Sequence, residues 1–487
     1  MSTSRGDRRR RTRAAAGLGC LLLSACAVGP DFRQPPPPAL DRYGDVAAAP
    51  MVELGRPVDA AWWRLFGSGK LDRLIESSLA ASPTLASAAA TLEESRDQAR
   101  AGAGVFLPSL DVGFSAVRER ATPLRQGASG PASTFSLYTL AGAVSYAIDL
   151  FGGERRGVEA LYAEADRQRD AAGAAYLALT GNVADAAIAR AGYADEAADL
   201  EEVVALEAAQ RDILAAEARA GHAPLSVVLQ AQQPLSADRQ ALAEARRRAA
   251  AATSLLNTLL GREQGQGAPA APSLDELATP ASVPVSLPSQ LVRQRPDILQ
   301  AEAATHQASA ELGVATAALY PSISLTGDYG AAQTQLGRLG APVARFWSIG
   351  PGVTVPIFQG GSLWYGRKAA EAGLARAQAD YRQTVLAALE QVCDGIGALS
   401  ADSETEAAAR SASEAAELNR QLADANDQAG VIAGFDAMSA RIAADRARMA
   451  LAAARAQRLQ DVVALYLASG GGWNGRDLGP SKPEAGR

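Results

Sequence analysis

The sequence predicts a mixed, mainly α-helical chain with an internal duplication, in which paired strands of transmembrane β-barrel type alternate with long helices. Three observations predict it. Landmarks recur: Phe106-Leu-Pro-Ser-Leu110 returns as Leu319-Tyr-Pro-Ser-Ile323, and Ile148-Asp-Leu-Phe-Gly-Gly153 as Val355-Pro-Ile-Phe-Gln-Gly-Gly361. Four segments alternate apolar and polar residues with period two, the mark of strands with one apolar face. Two long stretches lack proline, from Phe151 to Ala223 and from Ile357 to Leu478, and are rich in Ala, Leu, Glu, Arg and Gln, the strong helix formers.

The repeat register extends further, with Ser82-Pro83 matching Arg295-Pro296, Gly221 matching Gly430, and Leu260-Gly261 matching Ser469-Gly470. A unit of roughly 200 residues lies far above the periods of solenoids. What repeats is a composite element: helix, strand pair, long helix, turn, helix.

Residues 1–25 read as a processing signal. Arg8 to Arg11 with Arg13 form a basic region, and Ala14 to Leu23 form a short apolar run before Leu23-Ser24-Ala25-Cys26. This pattern is that of a bacterial lipoprotein signal, with cleavage before Cys26 and acylation of its thiol; an ordinary secretory peptide is the alternative. Ala27 stands where Asp tends to retain lipoproteins at the inner membrane, so outer-membrane delivery is expected. Residues 26–56, with Pro35 to Pro38, read as an extended, lipidated tether.

Removing residues 1–25 takes away six arginines and Asp7, and moves the formal charge from −6 to −11. No basic stripe remains to neutralise phosphates, which disfavours nucleic acid, and none is expected as a partner. Cys393 is then the last thiol, read as a buried filler, and no intrachain disulfide is possible. His222 and His306 are isolated, without companions at metal spacing and without an evident acidic partner. There is no Gly-x-Ser-x-Gly turn. No enzyme, metal or cofactor is expected beyond the lipid on Cys26.

Repeat 1, residues 57–261, carries strands expected at about 108–120 and 134–150, with Leu110, Val112 and Phe114 opposite Ser109, Asp111 and Ser115. Repeat 2, residues 291–472, carries strands at about 321–331 and 345–358, with Ile323, Leu325 and Tyr329 opposite Ser322, Ser324, Thr326 and Asp328. Residues 262–290 form a linker rich in proline, and 473–487 a tail. A soluble sheet packed on helices fits this alternation as well as a membrane barrel does. The lipoprotein signal decides for the barrel. Four strands cannot close one, and a bilayer penalises every unpaired edge, so several copies must share it; a trimer supplies twelve strands.

After Phe151, some 65 helical residues would rise about 100 Å. Leu161, Ala165, Ala172, Ala175, Leu179, Val183, Ala186 and Ala187 form a narrow stripe of mostly small side chains, suited to helices packed side by side in a wall; a dimeric coiled coil is the alternative for this stretch alone. Pro234 is expected to kink or delay the return helix.

From about Trp62 to Trp473 the chain resembles the outer-membrane factors of tripartite efflux pumps, in the lipoprotein branch related to NodT and OprM. The specific segments are Leu291-Val-Arg-Gln-Arg-Pro-Asp-Ile298, Gly313 to Leu325, Phe346-Trp-Ser-Ile-Gly-Pro351, Pro356 to Gly361, and Leu465 to Trp473. The resemblance implies a homotrimer with a β-barrel in the outer membrane and a long α-helical barrel in the periplasm. It implies a belt built from residues near 57–80, the 262–290 linker and the C-terminal segment. It also implies a periplasmic adaptor and an inner-membrane RND-type transporter as partners, and a passive duct for small molecules. A type I secretion outlet for polypeptides and a lipid-anchored coiled-coil scaffold are the alternatives.

The two helix turns would form the periplasmic end and dock the adaptor, through Gly221 and Ser226 in the first and Gly430 and Gly434 in the second. In related channels acidic residues after the second turn narrow the entrance. Here Asp436 carries over and Ser439 stands where a second Asp often sits, so Phe435 and Met438 are candidates for an apolar constriction.

Overall fold

The structure, a computed structural model, describes residues 27–38, 43, 52–56, 59–123, 127 and 129–471. The processing signal, Cys26 and the tail 473–487 lie outside them. Two compact units are present, and each draws segments from both repeats: one holds residues up to 35, 93–167 and 301–381, the other 36–92, 168–300 and 382–487.

In the first unit, four strands form one antiparallel sheet in the order β2, β3, β5, β6. They are β2 Ser109–Ala121, β3 Ser133–Ile148, β5 Ser322–Gln333 and β6 Arg345–Thr354. The pairing β3 to β5, with Val144 opposite Gly327, joins the two repeats at the middle of the sheet. Both outer strands, β2 and β6, keep one edge unpaired. The apolar side chains of the alternation are exposed, as are the polar ones on the other face of β2 and β6: Leu110 is 70% and Trp347 72% accessible, with Val112, Phe114, Ile349 and Val353 similar.

Two strands end earlier than their alternation suggests. β3 stops at Ile148 because Asp149 turns to serve the next helix, its Oδ2 accepting from Arg155 N–H at 3.0 Å. β6 stops at Thr354, two residues before Pro356, which has no N–H to donate. The described helices are α1 Gly69–Ala81, α2 Pro83–Gly102, α3 Gly153–Arg219, α4 Leu225–Leu259, α5 Pro288–Leu291, α6 Pro296–Ala317, α7 Ser362–Gln428 and α8 Gly434–Ala468. The duplication is metrically close: α3 and α7 have 67 residues each, α4 and α8 35 each.

Pro234 neither delays nor interrupts α4, which begins at Leu225 and runs through it. The carbonyl of Gln230, which loses its N–H partner there, lies on the exposed face, where water can serve it.

In the second unit a core of large buried side chains gathers residues 62–75, the linker and the end of α8. Two short strands, β1 Val52–Leu54 and β4 Val283–Val285, pair in parallel. Trp62, Phe66, Leu71, Ile75 and Tyr466 are fully buried, and the Trp62 and Tyr466 rings stack at 5.4 Å. The linker is fastened to this core by Ala278 N–H donating to Phe66 O at 2.8 Å, by the Lys70–Glu276 ion pair at 2.8 Å and by Arg455 with Asp275 at 3.0 Å. Elsewhere in the unit the helices touch through a mix of alanines and larger apolar residues, Ala197, Leu200 and Ala245 against Ala241, Leu242 and Met449.

Two readings of single residues are corrected. Cys393 is half-buried rather than a core filler. His306 does have an acidic partner, its Nε2 lying 2.9 Å from Glu159 Oε1, and its ring stacks on Phe32 at 4.4 Å. Glu159 lies 147 positions away along the chain, beyond the reach of any local pattern.

Candidate functional site

The site is the turn region of the second unit and the charged helix wall leading from it. Both turns are built alike. Gly221 adopts φ +80° and Gly430 φ +69°. In the first, Gly221 N–H donates to Ala218 O and His222 N–H to Glu217 O; in the second, Gly430 N–H donates to Asp427 O and Val431 N–H to Asn426 O. This is the Schellman closure, in which a left-handed glycine lets the two residues past the helix satisfy its last carbonyls. Ser226 is exposed in the first turn of α4, and Gly434 opens α8 beside Asp427.

Asp436 is exposed in the first turn of α8, where a negative charge is favoured by the helix dipole. Phe435 and Met438 are half-buried. Ser439 is held: its Oγ accepts from Gln210 Nε2 at 2.8 Å and donates to Phe435 O at 3.0 Å. Gln210 also donates to Phe435 O at 3.2 Å. So Phe435 and Ser439, four residues apart, share the face turned to α3, and Asp436 lies off that face. Gln210, on the other repeat, was not foreseen, since nothing local to it signals a partner 229 residues away.

Three arginines further along α8 and Arg420 on α7 tie the wall together. Arg441 reaches Asp424 at 2.8 Å, and Arg420 bridges Glu417 at 2.5 Å and Asp424 at 2.8 Å. Arg446 reaches Glu207 at 2.9 Å and Asp238 at 2.8 Å; Arg448 reaches Asp199 at 2.8 Å and Asp445 at 2.6 Å. Its guanidinium neighbours hold Glu417 well below the usual carboxylate range, at about 2, chiefly through Arg420. Burial pushes Asp445 up despite Arg448. A cavity of about 620 Å³ opens here, lined by Glu202, Glu417, Arg420, Arg441, Asp445 and Arg448. Its charged walls pair with one another, and Ala205, Leu206, Ser413 and Ala444 complete the lining.

Among the described residues no group of His, Cys, Asp and Glu is placed to hold a metal ion. No described helix is long and apolar enough to cross a membrane.

An antiparallel four-stranded sheet with an apolar exposed face, coupled in one chain to two equal helical hairpins, defines an outer-membrane channel subunit. The family model for outer membrane efflux proteins matches residues 74–262 and 287–471, and the chain belongs to that family. It is 29% identical to outer membrane protein OprJ of Pseudomonas aeruginosa over 95% of this chain and 97% of that protein. It is 29% identical to nodulation protein T of Rhizobium leguminosarum bv. viciae, over 95% and 94% of the two chains. Among solved structures, the outer-membrane channel OprN superposes with a TM-score of 0.82 at 27% identity, over 92% of this chain and all of that one. The protein is therefore a channel component of an efflux system in the outer membrane, extending into the periplasm, with the expected mixed, mainly helical fold class. These relatives are channel proteins rather than enzymes.

Proposed function

We propose that the chain forms the passive exit duct of a tripartite pump, closed as a homotrimer, that receives small solutes from an inner-membrane RND-type transporter through a periplasmic adaptor. The sheet carries this reading. Its apolar face suits lipid, and its unpaired edges on β2 and β6 are intolerable in a bilayer unless other copies cover them. Head-to-tail pairing of β2 with β6 of the next copy closes a ring.

The helical unit supports the same rule independently. Arginines of α8 bond to α3, α4 and α7, whereas Leu225 and Leu229 on α4 and Leu418 and Leu422 on α7 stay exposed. Each pair is spaced four residues apart, as a helix facing another helix requires. Leucines left bare on α4 and α7 suit neighbouring copies. The duct itself carries out no chemistry.

Membrane attachment by acylated Cys26 belongs to the same proposal. Val28 N–H donates to Phe151 O at 3.0 Å, and Ala27 packs on Gly152. Phe151 stacks on Tyr320 at 4.8 Å, just beyond the ends of β3 and β5, where an aromatic girdle marks the edge of a membrane barrel. An acyl chain on Cys26, the residue before Ala27 in the sequence, would anchor the chain next to this contact. From there residues 28–34 run along the unit, held by Arg156 with Asp31, Ser309 Oγ to Pro30 O, and Gln34 to Glu302.

The test is reconstitution of the purified full chain in planar bilayers. Long-lived pores with a conductance fixed by one oligomer are expected. Absence of any pore, with the protein inserted, overturns the duct and promotes a lipid-anchored scaffold.

A further inference from the structure

Each helical hairpin contains a place where two carboxyl groups meet in the wall. In the first, Glu207 on α3 faces Asp238 on α4, with Arg446 of α8 donating to Glu207 Oε1 at 2.9 Å and to Asp238 Oδ2 at 2.8 Å. The second Glu207 oxygen, Oε2, is buried with no hydrogen-bond partner. In the second hairpin, Asp402 on α7 faces Asp461 on α8, and Asp185 on α3 faces Asp461 as well. Asp402 Oδ2 and Asp185 Oδ1 are likewise buried without a partner. The cation nearby, Arg458, is drawn to Glu406 at 2.6 Å, which Arg410 also bonds. Asp461 Oδ2 accepts from Gln457 at 3.1 Å.

Ionised carboxylates only accept hydrogen bonds. Two of them in contact, with a buried lone oxygen left over, lack one thing: a proton. A single proton on Glu207 Oε2 or Asp402 Oδ2 turns an acceptor into a donor and converts repulsion into a short hydrogen bond across the hairpin. We propose that both hairpins are fastened by shared protons, one at Glu207–Asp238 and one at Asp402–Asp461 beside Asp185, so that the helix wall tightens on mild acidification and loosens when the protons leave. Burial, and then the facing carboxyl group, raise Glu207 and Asp402 to about 7. Burial chiefly, with Asp461 second, raises Asp185 to about 7. The periplasm shares the pH of the surroundings, so the wall would respond to it directly. This device does not depend on what the duct carries.

Hydrogen exchange of the full chain in lipid nanodiscs, at pH 6 and pH 8 and corrected for the intrinsic chemical rate, tests it. Amides around 200–214, 232–245, 395–409 and 455–468 are expected to lose protection by on the order of tenfold at the higher pH. In the Glu207→Gln/Asp402→Asn double variant, whose amides donate permanently, protection at pH 8 is expected to match that at pH 6 around 200–214 and 232–245, and around 395–409 and 455–468 to keep only the change that Asp185 contributes. Wild-type protection that ignores pH, or a variant with unchanged pH dependence, overturns the proposal. So does protection at pH 8 that a chelator removes, because a divalent cation would then hold the pairs. If the double variant does not fold, Asp402→Asn alone, read on the second hairpin, decides the same question.

Discussion

Replacing Asp185 by Asn isolates the energetic cost of one buried charge in the helix wall. Asp185 sits on α3 against Asp461, with Oδ1 buried and unpartnered, and its carboxyl is raised from 3.8 to about 7, first by burial and then by Asp461. A group whose folded-state pKa is raised contributes stability that is complete below the unfolded value and is lost as pH climbs through the folded one. The window here therefore runs from about pH 4 to just above 7. Between pH 5 and pH 8 the folded wall should lose roughly 2–3 kcal/mol from this group, which corresponds to roughly 30- to 150-fold in local opening. Asn cannot ionise, so the variant should be modestly more protected than the wild type at pH 5 and much more so at pH 8, read by hydrogen exchange at amides flanking residue 185. Identical pH dependence in wild type and variant would refute the reasoning, since the charge would then be solvated in the folded state.

Other consequences follow from single contacts. Cys26→Ser should abolish incorporation of labelled fatty acid, and continued labelling would move the anchor elsewhere. Asp436→Ala should weaken cation preference in bilayer conductance, because three copies of an exposed acid would stand in one ring; unchanged selectivity would remove Asp436 from the entrance. Gly29→Val should free the N-terminal segment. Gly29 has φ +99°, and a Cβ there would meet Gly313 Cα at 2.7 Å, so strain and clash together cost at least about 1–2 kcal/mol. Faster protease cleavage within residues 27–35 is expected, and an unchanged rate would show that this contact does not hold the segment.

Most of the architecture was legible because it is local. Period-two alternation placed Leu110, Val112 and Phe114 on one strand face, and the long proline-free runs marked α3 and α7. Repeated landmarks supplied the equal hairpins. The turns at Gly221 and Gly430 were readable from glycine between helical runs. What could not be read were partners brought together only by the fold: Glu159 for His306, Gln210 for Ser439, and Asp238 and Arg446 for Glu207. Such pairs leave no mark on the periodicity of either segment. The delay expected from Pro234 did not follow, because the cost of a missing N–H depends on whether water reaches the orphaned carbonyl, which sequence alone does not disclose. Asp149 misled in a similar way, since its side chain was needed to start α3 and not to extend β3.

The central claim is that copies of this chain share one closed barrel, and paired cysteines test it most directly. In a Cys393→Ser background, single cysteines along Ser109–Ala121 are combined with single cysteines along Arg345–Thr354 and oxidised in outer membranes. The account predicts covalent species that stop at three copies and form at one β2-to-β6 register. An open ladder of oligomers, dimers alone, or no cross-link at any register would contradict it.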